Sequence, residues 1–151
     1  MTPHFSLEEF TQSDTADRLG IDNTLPEILH DNARKTLEMM ERIRFHIDAP
    51  IIITSGYRSK ALNQAIGSKP TSDHTLAFAV DFKAPKAGKP YDIAKDLAGV
   101  IDVIGIGQLI LEFATSSNGG WVHVSLDRPD KAINRIITID KTGVRAGIWI
   151  P

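Results

Sequence analysis

The sequence predicts an α+β domain, with two or three helices packed against an antiparallel sheet. Three features carry that prediction. Leu29, Ala33, Leu37, Met40, Ile43 and Ile47 recur at helical spacing, which lays one apolar stripe along a helix. Residues 77–83 and 121–126 alternate with a period of two, as strands with two unlike faces do. Residues 115–120, Thr-Ser-Ser-Asn-Gly-Gly, supply turn chemistry between the runs 108–113 and 121–126, so those two strands are expected to pair antiparallel.

Bulk properties narrow the partners. A chain of 151 residues is expected to form one domain with room for a real core. With 17 basic and 19 acidic residues the formal charge is −2, which argues against a nucleic-acid binder driven by phosphate neutralisation. The absence of cysteine rules out disulfides and thiolate metal sites. Met1-Thr2-Pro3-His4-Phe5 lacks a basic segment followed by an apolar run, so the expectation is synthesis in the cytoplasm without a signal peptide. No apolar stretch approaches membrane-spanning length, and a monomer without membrane insertion is expected.

In chain order, Ser6-Leu7-Glu8-Glu9-Phe10 reads as a short helix with Ser6 and Glu9 in a capping box, and Phe5 and Phe10 as pins that hold the arm 1–23 to the core. Thr24-Leu25-Pro26-Glu27 reads as the start of the long helix, with a cap hydroxyl and a first-turn proline. His30 and His46 fall off its apolar stripe and, like His4, read as surface residues. The β-branched run 51–54 reads as a buried strand that delivers Ser55-Gly56-Tyr57-Arg58 to its carboxyl end. A short helix over 61–66 closed by Gly67, a mobile Lys-rich rim loop over 83–90, a second helix over 91–103, and two terminal strands, or a strand and an extended tail, over 132–139 and 144–150 complete the reading.

The chemistry concentrates in residues 72–81 and 121–125. Ala77, Ala79, Asp81 and Lys83 share one face of the first run, with Phe78, Val80 and Phe82 on the other. The small residues leave space over the Asp81 carboxylate. Trp121, His123 and Ser125 share a face of the second run. Neighbouring strands of this kind would set Asp81 beside His123, with His74 arriving from the entry loop. Two imidazoles and one carboxylate on separate backbone positions suit a catalytic zinc that keeps its fourth position open. Taken singly, each residue has a plainer reading: strand histidines are mostly packed or solvated, and a lone Asp after apolar alternation ends a strand or makes a turn.

These residues resemble a known family. Ser72-x-His74-x-x-Ala77-x-Ala79-x-Asp81, followed by Trp121-Val122-His123, is similar to the signature of the zinc D-alanyl-D-alanine carboxypeptidases and L-alanyl-D-glutamate endopeptidases. That family cuts the peptides of bacterial cell walls and includes many phage lysins. Ser55-Gly56-Tyr57-Arg58-Ser59 matches the family's Ser-Gly-Tyr-Arg-Ser segment, so the resemblance spans residues 51–125. It implies Zn²⁺ on His74, Asp81 and His123; Ser72, Tyr57 and Trp121, which stand beside these motifs, are read as substrate-binding or ligand-supporting residues. It also implies a peptidoglycan stem peptide as substrate, cut beside a D-amino acid; together with the lack of a visible signal peptide, the expected setting is a phage endolysin or virion-associated wall hydrolase. Ala77 departs from the family's glycine; a methyl group there is tolerated on a strand but not at a positive φ.

Two roles remain to be filled. Arg58 is either a surface salt-bridge residue or a planar cation for a carboxylate or for the oxyanion of a tetrahedral intermediate, a role the family match reinforces. Some relatives carry a Glu or His two or three positions before the distal ligand, where this chain has Trp121 and Gly120. Glu112, on the strand expected to pair with that of His123, is therefore the candidate base, with an exposed strand carboxylate as the equal alternative. Trp121 is a cleft wall or a rim aromatic. Two other functional classes stay open: a non-catalytic wall-binding or virion structural module that keeps the fold, and a binding domain that needs no metal.

Overall fold

Val80 and Phe82 of strand β2 (Ala79–Lys83) are fully buried, and this strand lies second from one edge of a six-stranded sheet. The computed structural model describes residues 1–130 and 135–151. Its six described strands are β1 (Ile52–Ser55), β2, β3 (Ile106–Glu112), β4 (Trp121–Leu126), β5 (Ile136–Asp140) and β6 (Gly143–Ala146), in the sheet order β1-β2-β4-β3-β5-β6. The expected hairpin is present, with Leu111 opposite Val122 and Glu112 opposite Trp121.

The all-antiparallel expectation is corrected at one seam, where β5 runs parallel to β3. The cause is topological. β4 is already paired on both edges, and it ends with Leu126 opposite Ile106, where β3 begins. A strand that starts there and adds beside β3 must run in the direction of β3. The strand expected over 132–139 begins at Ile136, and its first part, 132–134, lies outside the described residues.

Helices cover one face of the sheet. Helix α3 (His30–Ile47) buries Ala33, Leu37, Met40 and Ile43 of the stripe read from the sequence, together with Thr36 and Met39 beside it. These residues join Ile93, Ala94 and Leu97 of α5 (Pro90–Ala98) and Leu109, Leu111, Val122 and Val124 of the sheet in one core. Burying an aliphatic side chain of this kind contributes roughly 1.5–3 kcal/mol, so this seam holds the sheet and helices together. The N-terminal arm is pinned by Phe5 and Phe10, at 2% and 0% exposure; it carries α1 (Leu7–Thr11), which has the Ser6–Glu9 capping box, and α2 (Asp14–Leu19), while α4 (Lys60–Ala65) follows β1.

Local readings shift in four places. The Thr24 hydroxyl donates to Asp22 Oδ1 instead of capping the helix, and residues 27–29 form a 3₁₀ turn before α3 starts. The run 51–54 is an edge strand, paired with β2 alone, and Ile52 is exposed. The helical pattern over 91–103 breaks at Val100, whose φ of −133° leaves the helix, so α6 (Ile101–Ile104) is separate from α5. The Lys-rich loop is fastened, with Lys83 and Lys89 donating to the carbonyls of Asn118 and Ser116 in the β3–β4 connection. No helix among the described residues is long and apolar enough to cross a membrane.

Candidate metal centre

The sheet register brings the three candidate ligands together. Asp81 on β2 and His123 on β4 are direct cross-strand partners, and their side chains meet with Asp81 Oδ1 2.8 Å from His123 Nδ1. His74 comes from the 3₁₀ turn Asp73–Leu76 just before β2, and its Nε2 lies 3.3 Å from the same carboxylate oxygen. All three side chains are buried, at 2%, 5% and 8% exposure for His74, Asp81 and His123. Their donor atoms lie within 4.8 Å of one another. Two ligands bound at zinc distances in tetrahedral geometry sit about 3.3 Å apart, close to the spacing that each imidazole already keeps from Asp81 Oδ1.

Each imidazole has one nitrogen held by the protein and one turned to the cluster. His74 Nδ1–H donates to the Gly56 carbonyl at 2.6 Å, which leaves the Nε2 lone pair facing Asp81. For His123 the arrangement is reversed: Nε2 is paired with the Ser125 hydroxyl at 3.0 Å and Nδ1 faces Asp81. Such partners fix ring orientation and tautomer at a metal site. The sequence reading singled out neither Gly56 nor Ser125 for this task, although Ser125 shares the period-two face of His123.

The charges in the cluster are strongly coupled. Burial pushes the His74 pKa down, against the pull of Asp81. Burial acts the same way on His123, but there the hydrogen bond and charge of Asp81 outweigh it and raise the pKa. Burial alone would raise the Asp81 pKa, yet the two imidazoles hold it well below the usual carboxylate range. Asp81 is thus ionised and His74 is available as a neutral ligand.

Backbone geometry at the entry to β2 corrects one expectation. Ala77 does not belong to the strand, which starts at Ala79; it closes the 3₁₀ turn in the left-handed region at φ 62°, ψ 29°. An L-residue there costs roughly 1–2 kcal/mol, which accounts for glycine being usual at this place in the resembling family. Ser72 accepts a hydrogen bond from the His74 N–H, at 3.3 Å, and so caps the turn that carries the ligand. Asp73 is buried and its Oδ1 accepts from Arg128 Nη2 at 2.8 Å, while the Arg128 guanidinium lies 4.4 Å over the Phe78 ring.

Arg58 reaches the cluster from the turn after β1. The β1–β2 register shifts between Ile53 and Ser55, and such a bulge re-aims the residues beyond it. Gly56 is required there: a Cβ would stand 2.2 Å from the Phe10 carbonyl oxygen. Arg58 Nη2 lies 3.3 Å from Asp81 Oδ2, and its Nε donates to Ser55 Oγ at 3.1 Å. Tyr57 is buried, with its backbone N–H donating to the Phe10 carbonyl, so it ties the arm to this turn. A cavity of about 260 Å³ opens beside it, lined by Arg58, Ser55, Tyr57, Leu62, Gln12 and Ser13 among others.

Glu112 approaches from β3, with Oε1 4.0 Å from His123 Nδ1. Burial raises its pKa, and Asp81 adds to the rise. Trp121, its cross-strand partner, is half-buried with its ring centroid 5.8 Å from that of Phe113. Gly120 cannot bear the carboxylate some relatives place three residues before the distal ligand. It sits at φ +80°, and a Cβ would stand 2.4 Å from the Glu112 carbonyl oxygen. His4, His30 and His46 stay outside the cluster; His4 and His46 pair with Glu41 and Asp96.

The family comparison matches this geometry. The peptidase M15 model matches residues 3–125, about four-fifths of the chain, and so takes in the N-terminal arm as well as the motifs from 51 onward. A search of curated proteins finds no match. Members of this family depend on zinc and act on peptidoglycan peptides. With its ordered motifs folded around a buried His-Asp-His group able to hold that ion, the chain belongs to the peptidase M15 family and is a zinc metallopeptidase of cell-wall type.

Proposed function

We propose that this protein hydrolyses a peptide bond beside a D-amino acid in the peptidoglycan stem, with His74, Asp81 and His123 as the zinc ligands, Glu112 as the general base and Arg58 as the charge-stabilising cation. The carrying observation is that a carboxylate and a guanidinium converge on the buried triad from two different strand ends, Glu112 at 4.0 Å from His123 Nδ1 and Arg58 at 3.3 Å from Asp81 Oδ2. When bound, zinc supplies a Lewis acid and lowers the pKa of water at its open position.

The protein's own groups do the rest. Glu112 takes the proton that the attacking water loses and returns it to the amine as the carbon–nitrogen bond breaks. Its partly buried position favours a base with a pKa above that of a solvated glutamate, nearer to working pH. Arg58 faces the negative charge that develops on the carbonyl oxygen of the substrate. With both imidazoles neutral, Asp81 and Glu112 outweigh Arg58 by one negative charge; a divalent ion turns that into a net positive site suited to an anionic transition state. The cavity beside Arg58 gives a substrate residue room on the far side of the guanidinium from the triad, none of whose residues line it.

We further read the protein as a wall hydrolase of the phage-lysin kind, a reading supported by the resemblance of its motifs. The test is mass spectrometry of purified peptidoglycan after incubation with the protein, with and without a chelator, beside His123→Ala. New stem fragments that need both metal and His123 are expected, and their masses separate terminal D-alanine release from an internal L-Ala–D-Glu cut. Zinc bound at one per chain with no fragments would instead mark a non-catalytic wall-binding or virion module.

A further inference from the structure

We propose that Thr36 and Asn32 of helix α3 are positioning residues for the metal ligand His74, acting through the carbonyls of Ala77 and Leu76 at the end of its turn. The Thr36 hydroxyl donates to the Ala77 carbonyl at 2.8 Å, in a fully buried contact between residues 41 positions apart. One turn earlier on the same helix, Asn32 Nδ2 donates to the Leu76 carbonyl at 3.0 Å. Thr36 interrupts an otherwise apolar buried stripe, and a buried hydroxyl needs a partner; here that partner is the most strained peptide of the ligand turn.

The need for a clamp follows from the backbone. Ala77 lies at φ 62°, where only glycine is at ease, and a non-glycine residue persists there only when its surroundings over-determine it. Relaxation of Ala77 toward the extended region would swing the Leu76–Ala77 peptide and, with it, the turn that carries His74. Other hydrogen bonds share this load: the Arg58 N–H donates to the His74 carbonyl at 3.1 Å, and the Phe78 N–H to the Asp73 carbonyl at 3.0 Å. The α3 clamp differs in that it reaches the turn from the helical layer, across the core. It thereby sets the height of the His74 ring relative to β2, where Asp81 waits.

The inference rests on His74 as a zinc ligand. Zinc affinity by competition with a chromophoric chelator, the visible absorption of the cobalt(II) form and the melting of the metal-free protein would be measured for wild type, Thr36→Val, Thr36→Ser, Ala77→Gly and the double variant Thr36→Val/Ala77→Gly. Thr36→Val is expected to weaken zinc at least tenfold and to shift the cobalt band, because loss of a ligand's outer support typically costs 10–100-fold in metal affinity. Thr36→Ser is expected to bind within about threefold of wild type, since it keeps the hydroxyl. The double variant should recover most of the loss, since glycine holds the left-handed turn without the clamp.

A Thr36→Val protein that melts cooperatively and binds zinc within about twofold of wild type, with an unshifted cobalt band, overturns the proposal. If Thr36→Val does not fold, Asn32→Ala decides, because its bond is exposed: a loss of threefold or more supports the clamp, and unchanged affinity overturns it. Wild type that takes up no zinc refutes the ligand assignment itself, an outcome distinct from equal binding by wild type and variant.

Discussion

Asp81 and His123 are opposite each other on β2 and β4, and the carboxylate of one lies 2.8 Å from Nδ1 of the other. In the metal-free protein this contact is a hydrogen bond, and it competes with metal for the same nitrogen lone pair. The proton that sits between these two residues is therefore what a metal ion must displace.

Zinc uptake should release a proton, and the pH window follows from the shifts. The His123 pKa is raised, so at pH 6.5, the ordinary imidazole value, more than half of the metal-free chains carry that proton. His74, pushed down by burial, is less than half protonated there, and Asp81, held low by the imidazoles, is ionised. Below the raised pKa of His123 a whole proton leaves the imidazole and affinity falls about tenfold per pH unit; above it that contribution fades, and the protons still counted come from water at the open position. Zinc titration calorimetry at pH 6.5 and pH 9, each in two buffers of different ionisation enthalpy, measures the count. Zero protons at pH 6.5 would refute Nδ1 as the displaced site.

Ser125→Ala should weaken zinc by roughly 10–100-fold while leaving the fold intact. The hydroxyl is the only partner seen for His123 Nε2 among the described residues, and without it the ring loses the contact that holds Nδ1 toward Asp81. Chelator competition reads the affinity, and circular dichroism checks the fold. Wild-type affinity in the variant would show that the β4 backbone alone orients the ring.

The triad was legible in the sequence because period-two alternation states which residues share a strand face, and two such strands pair in register. His74, Asp81, His123 and the candidate base Glu112 all converge as that pattern expects. What the pattern could not state is which side chains come from afar. Thr36, Asn32 and the carbonyls of Gly56 and Phe10 meet the site through packing between layers, at separations no local periodicity encodes. Ala77 marks the limit of alternation, since a residue with a strand-like neighbour pattern can still lie in the left-handed region when a turn precedes the strand. Parallel pairing of β5 was hidden for a similar reason: the occupied edges of β4, and not the composition of β5, decide its direction.

Gly120→Ala should destabilise the protein by about 1–3 kcal/mol. The added Cβ would meet the Glu112 carbonyl oxygen at 2.4 Å and the Ala114 nitrogen at 2.6 Å, at a φ of +80° that already disfavours alanine. Because the strain falls on the end of β3, the loss should be accompanied by reduced hydrolysis at temperatures where the variant remains folded. Urea denaturation gives the stability difference. A change under about 0.5 kcal/mol, the size usual for an exposed neutral substitution, would show that the β3–β4 connection yields freely.

Glu112→Gln separates binding from chemistry. The amide keeps the shape of the side chain but cannot take a proton, so hydrolysis of stem peptide should fall by about 10²–10⁴-fold, the usual contribution of a general base. Zinc content should stay at wild-type level, because Glu112 stands 4.0 Å from His123 Nδ1 and outside the triad. Moving the carboxylate to the neighbouring strand, as Glu112→Gln/Gly120→Glu, should not restore activity, since position 120 has no room for a side chain. Rates from mass-spectrometric product counts and zinc by atomic absorption test this together. Hydrolysis by zinc-loaded Glu112→Gln within tenfold of wild type would remove Glu112 from the proton path and leave it as a carboxylate that merely supports the charge of His123.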